Sequence, residues 1–156
     1  MPPRLHIDVS YAARRPWAPR AAQFERWAAA ALAGAAPAGI AHRGVLSVHV
    51  VGAARSRSLN AGYRGKDKAT NVLSFAGIGA GPDRRFHLGE LVICAPVVAR
   101  EAAAQGKTRE HHWAHMTVHG TLHLLGYDHE RPAEARVMAA REIQILDRLG
   151  FSDPYA

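Results

Sequence analysis

The chain has 156 residues, of which 48% are hydrophobic and 21% charged, with 20 Lys+Arg against 13 Asp+Glu and a formal net charge of +7. That is one ordinary domain with enough apolar content for a core, which excludes a disordered, collagenous or coiled-coil protein. The charge is uneven, with 16 basic and 7 acidic side chains in residues 1–110 against 4 and 6 in 111–156, so the basic body suits a polyanion, nucleic acid before any other.

Leu5 to Val9 reads as a short strand. Pro19 is placed to start a helix with Phe24, Trp27, Ala28 and Leu32 on its apolar face, ended by Gly34 and Pro37. Val45 to Val51 is rich in β-branched residues and reads as a central strand. Ser56 to Tyr63 reads as a short helix, and Arg64 to Lys68 as a charged loop. Val72 to Phe75 and Leu88 to Cys94 are two further strands, with a Gly-rich turn over Ile78 to Pro82 between them. Pro96 to Gln105 is a helix closed by Gly106, and Thr108 caps the next, which runs to Leu125 and ends at Gly126. Pro132 opens the last helix, which carries Val137, Met138, Ile145, Leu146 and Leu149 and stops at Gly150. The order predicts a single α+β domain over residues 1–156, a small four-stranded mixed sheet covered by about five helices.

The lone cysteine, Cys94, permits no intramolecular disulfide and points to a reducing compartment. The N-terminus has no apolar signal-peptide core, and the longest uncharged apolar stretch, 27–41, is broken by Gly34, Pro37 and Gly39 and too short to span a bilayer. The expectation is a cytoplasmic protein with no membrane partner.

Chemistry concentrates in the histidines. There are ten, and six of them fall between His111 and His129. His119 and His123 are i, i+4 on a helix, so both imidazoles project from one face a turn apart, within reach of one zinc ion. Gly126 can take the left-handed conformation that turns the chain back and brings His129 to the same ion. Three neutral nitrogens with a fourth position open is the pattern of a catalytic zinc site, at the end of a helix in the C-terminal half. His115 shares the face of His119 and His123 but lies eight residues before His123, about 12 Å along the axis, so one ion does not take both. It reads as substrate-facing, structural or behind the ligands, and His111 and His112 read as surface or packing residues.

The spacing His-x-x-x-His-x-x-Gly-x-x-His also matches metzincin peptidases, which place a general-base Glu directly after the first His. That position is Gly120, so a metallopeptidase is disfavoured. A small residue there is expected to leave room beside the metal for a phosphate–sugar backbone, which a Gly120→Glu carboxylate would obstruct.

The run His119 to His129 resembles the signature of the YbeY family, the bacterial endoribonucleases of rRNA maturation. The stretch Leu59 to Phe75, which contains Tyr63-Arg64-Gly65-Lys66-Asp67, is similar to a second block of that family, and Leu88 to Cys94 to a third. Trp113-Ala114-His115 leads into the metal helix as it does there, so the resemblance spans about residues 45–150. Ala69, Asn71 and Glu90 depart from the commonest pattern, which has Pro, Asp and Asp.

The resemblance implies one zinc per chain on His119, His123 and His129, and Arg64 as the functional arginine. It implies a zinc-dependent endoribonuclease that cuts single-stranded RNA, trims the 3′ end of small-subunit rRNA and serves ribosome quality control. The partners would be rRNA, the small ribosomal subunit and assembly factors, and not DNA. Arg64 offers a fixed fork of donors for a phosphate, although the ordinary fate of an arginine in such a loop is a salt bridge to Asp67. Lys66 and His115 are further candidates for substrate contact, and Lys68, Arg55 and Arg57 for tracking the backbone. The remaining alternative is a non-catalytic ribosome-assembly factor in which zinc only holds the fold. Three ligands with an open position argue against it.

Overall fold

The computed structural model describes residues 5–35, 44–80 and 86–156. Their elements are β1 (Leu5–Tyr11), α1 (Ala21–Ala35), β2 (Gly44–Val51), α2 (Ala53–Arg64), β3 (Val72–Ala80), β4 (Phe86–Cys94), α3 (Ala95–Ala104), α4 (Arg109–Leu124) and α5 (Pro132–Arg148). One sheet carries the strands in the order β1-β2-β4-β3. β1, β2 and β4 run parallel, and β3 pairs antiparallel at the edge. This is the mixed α+β sheet with five helices that the sequence predicts.

Alternation along the strands sorts residues between two faces. Ile7, Leu46, Val48, Leu91 and Ile93 point to the main core with Phe24, Trp27, Trp113 and Leu122 of α1 and α4. Val51, Leu73 and Val92 form a smaller core on the other face, against Leu59 of α2 and Phe75. α4 runs through the interior: every residue from His111 to Val118 is buried. His111 and His112 are therefore packing residues, His111 stacked on Phe151 at 5.3 Å and His112 bonded to Glu101 at 2.8 Å. Among the described residues no helix is long and apolar enough to cross a membrane.

Of the boundaries that differ from expectation, three bear on the packing around the site. Ile78 to Ala80 belong to β3, because Gly79 and Ala80 pair with His87 and Phe86 across a register shift; residues 81 and 82 lie outside the described part. Gly34 sits inside α1, its open side filled by Ile145, and Pro37 lies outside the described residues. Arg64 closes α2 instead of opening the loop.

Candidate metal centre and cleft

α4 starts at Thr108, whose hydroxyl accepts the His111 amide at 3.1 Å. It ends in a Schellman turn, with the Tyr127 amide donating to the Leu122 carbonyl and the Gly126 amide to that of His123, both at 3.1 Å. Gly126 has φ +99°, a conformation that side chains resist. The Asp128 carboxylate then accepts the amides of His129 and Glu130 at 2.7 and 3.3 Å. This folds the loop so that His129 returns over the helix end.

His119, His123 and His129 thereby converge, with ring centres 6.3 Å apart for 119–123, 5.3 Å for 119–129 and 5.6 Å for 123–129. Imidazoles on a tetrahedral zinc, with nitrogen about 2.0–2.1 Å from the ion, have ring centres about 5 Å apart. Both spacings to His129 are close to that figure and the third is about 1 Å wider. Among the described residues, no three His, Cys, Asp or Glu side chains are drawn in tightly enough to form a finished metal cage.

The donor chemistry fits zinc. His119 Nδ1 donates to Glu142 Oε1 at 2.5 Å, and an ionised carboxylate only accepts, so the Nε2 lone pair is left for the cleft. Burial, then the neighbouring His119 and His129, holds His123 below the ordinary histidine pKa, and Asp128 only partly opposes this. The shift favours the neutral imidazole, the form that can ligate a metal.

Glu142 is the residue that sequence reasoning missed. It is 1% exposed, and its Oε2 accepts from His115 Nε2 at 2.9 Å and from the Tyr155 hydroxyl. Burial alone would raise its pKa; the donors from His115 and His119 outweigh burial and bring it down to about 2. The segment that carries Tyr155 is fastened by Lys107 Nζ, which donates to the Pro154 carbonyl at 2.5 Å. A signal for Glu142 does exist in the sequence. It lies on the apolar stripe of α5, four residues after Met138 and three before Ile145, where an acid needs a buried partner. Nothing local flags Tyr155.

The histidines form one wall of a cleft of about 510 Å³, and Arg64, Lys66, Thr70 and Asn71 form the opposite one. Asp67 does not pair with Arg64. It is held by Arg57 through two hydrogen bonds of 2.7 and 2.9 Å. Arg64, Lys66 and Lys68 make no side-chain ion pair with another described residue, whereas Arg57 is occupied. The loop is fixed from beneath, where Asn60 donates to the Lys68 carbonyl at 2.9 Å and Ser56 exchanges hydrogen bonds with the backbone of Thr70. Asn71 donates to Glu101 at 3.1 Å while its carbonyl oxygen accepts the Val72 amide, a pairing that an ionised Asp would repel.

Two expectations are corrected. His115 is 5% exposed, bonded to Glu142 and not among the residues that line the cleft, a position behind the histidine wall and not on its surface. Gly120 does not border the metal side. A Cβ there would meet Leu91 Cδ2 at 2.8 Å and Ser74 Oγ and Val72 Cγ2 at 3.2 Å, and Ser74 donates to the Gly120 carbonyl at 3.2 Å. Glycine lets α4 lie directly on β3 and β4, so Gly120→Glu would disrupt packing before it could obstruct substrate. Glu90 lies on the far face of the sheet, bonded to His49 at 3.0 Å, and its extra methylene does not reach the cleft.

Comparison with known proteins agrees along nearly the whole chain. The sequence model of the family described as endoribonuclease YbeY matches residues 15–150. The endoribonuclease YbeY of Stenotrophomonas maltophilia (strain K279a) is 52% identical, and that of Xanthomonas axonopodis pv. citri (strain 306) 53% identical, each match covering 99% of this chain and 96% of the relative. The solution structure of TM1509 from Thermotoga maritima superposes with a TM-score of 0.57 at 20% identity, over 94% of this chain and 92% of that one, a likeness of fold.

Proposed function

The chain belongs to the endoribonuclease YbeY family, and on that premise we propose that it is a zinc-dependent endoribonuclease which cuts single-stranded RNA in the cleft between His119, His123, His129 and Arg64. The observation that carries the reading is the Glu142–His119 contact. A buried carboxylate that fixes the tautomer of one imidazole beside two other histidines is what a metal site requires, and packing alone does not. We further assign the role to 3′-end maturation of small-subunit rRNA and ribosome quality control in the cytoplasm, with the small subunit and its assembly factors as partners. The family supports this assignment.

When bound, zinc would polarise a phosphoryl oxygen and lower the pKa of water towards 7. Arg64 binds a non-bridging phosphate oxygen with its fork of donors and offsets the negative charge that grows in the transition state. Asn60, Ser56 and the Arg57–Asp67 pair hold the segment that presents it. Glu142 orients His119. Both its oxygens already accept hydrogen bonds, from His119, His115 and Tyr155, so its role is to position the imidazole and not to take a proton from water. The peptidase alternative fails because the residue after the first histidine is a glycine packed against the sheet, with no space for a carboxylate.

The test is zinc content and cleavage together. The native protein should carry about one zinc per chain and cut single-stranded RNA but not casein, with the cutting abolished by a chelator. His123→Ala should lose the metal and about 10³-fold or more of the rate. Unchanged zinc in that variant, or chelator-sensitive cleavage of casein, would overturn the assignment.

A further inference from the structure

The end of α2 lies beside the edge strand of the sheet. Its last residue, Arg64, lines the cleft on the α4 side of β3, together with Val72 and Ser74. The residue before it, Tyr63, packs against Phe75 on the opposite face, with ring centres 5.1 Å apart and planes at 69°. Their Cα atoms are about 3.8 Å apart, so a cleft cation and an aromatic ring stand side by side on the rim of β3.

Tyr63 is 71% exposed, the most exposed large hydrophobic residue among those described. Tyrosine at a helix end ordinarily buries its ring. Here Phe75 packs against it at a steep 69° angle, which fixes its orientation, and most of the ring is left to solvent. The surroundings are cationic: Arg64, Lys66 and Lys68 lack acidic partners among the described residues, and the nearby acid, Asp67, is neutralised by Arg57. An exposed aromatic ring, braced from behind and flanked by unpaired cations, is the pairing by which proteins hold unpaired nucleobases: the ring takes the base and the cations take the backbone.

We propose that Tyr63 is a stacking site for an unpaired RNA base, adjoining the phosphate that Arg64 holds in the cleft. The strand would leave the cleft over the edge of β3. A duplex cannot place a base there without first unpairing it, which gives the enzyme a physical reason to select single-stranded RNA. The inference rests on the ribonuclease reading and is independent of the metal.

Binding of a fluorescent single-stranded oligoribonucleotide, measured by anisotropy with chelator present to prevent cutting, tests it. Tyr63→Ala should weaken binding about tenfold, and Tyr63→Phe should retain it, since stacking needs the ring and not the hydroxyl. An oligonucleotide series with one abasic position should show a register at which the native protein loses a similar factor and Tyr63→Ala loses none. Tyr63 is exposed enough for both variants to fold, which circular dichroism checks. Native-like binding by Tyr63→Ala, failure of Tyr63→Phe, or an abasic penalty that persists in Tyr63→Ala would overturn the proposal while native RNA cleavage stands. Failure of the native protein to bind or cut RNA would instead overturn the ribonuclease reading.

Discussion

The two walls of the cleft are built by opposite rules. On the histidine side, polar groups are saturated inward: Glu142 receives His119, His115 and Tyr155 in a setting almost closed to water. On the Arg64 side, hydrogen bonds fix the backbone of the loop and leave its cations to solvent. On the proposed reading, the difference follows from what each wall would hold. A metal is gripped by lone pairs whose direction matters, so the imidazoles have to be oriented beforehand at the expense of burying a carboxylate. A phosphate brings its own charge and would take up the donors of an arginine that has no ion-pair partner among the described residues.

If that contrast is right, the largest effect on turnover without loss of structure should come from the exposed wall. Arg64→Ala removes a donor pair from the transition state and should slow RNA cleavage about 10²–10³-fold, with zinc content and unfolding midpoint unchanged. Arg64→Lys should recover only part, because a point charge replaces a fork. Loss of zinc or of fold in Arg64→Ala would erase the distinction between the walls. Because Arg64, Lys66 and Lys68 have no ion-pair partner among the described residues, RNA affinity should also fall as salt rises.

The buried wall should break differently. Glu142→Gln keeps the volume but replaces one acceptor oxygen with an NH₂ group, so at least one of the donors from His119, His115 and Tyr155 loses its acceptor. Zinc affinity should drop about 10–100-fold in a competition titration. Tyr155→Phe, which removes one donor and leaves the carboxylate its two histidines, should drop it less. Equal losses from the two variants would mean that the Glu142 carboxylate is not the common anchor.

The same contrast explains what could be read from sequence. His119, His123, Gly126 and His129 form a local code of helix period and cap within eleven residues, and the Thr108 cap is as local. Arg64 came from a family block, because nothing in its neighbours says that Asp67 prefers Arg57. Glu142 and Tyr155 reach the site from 19 and 32 residues beyond His123, through tertiary packing that no spacing rule reports. Gly120 is a related case: the sequence places it beside His119, but only the docking of α4 on β3 and β4 decides that it faces Leu91. Ile78 to Ala80 have turn composition, and pairing with β4 overrides it.

The smallest predicted effect is on stability, and it concerns the buried wall's own helix. Burial lowers the pKa of both His111 and His112; for His112 the hydrogen bond to Glu101 opposes the shift without cancelling it. Among the described residues, His111 Nε2 and His112 Nδ1 have no hydrogen-bond partner, so a proton added there would be buried without an acceptor. The folded chain therefore binds these protons less readily than the unfolded chain, where histidine titrates near its ordinary value of about 6.5. The stabilisation is fully present above that pH and is lost as pH falls from it towards the depressed folded values, with a slope of at most about 1.4 kcal/mol per pH unit for each histidine. Glu142 adds a second loss only at lower pH, between the ordinary carboxylate range and about 2. Urea unfolding of the chelated protein should accordingly give a midpoint that is level from pH 8 to 7 and declines between 6.5 and 5. Arg64→Ala should follow the same curve, because its wall takes no part. A midpoint that stays level to pH 5 would show that His111 and His112 find acceptors on protonation, and that the interior of α4 is more polar than its packing implies.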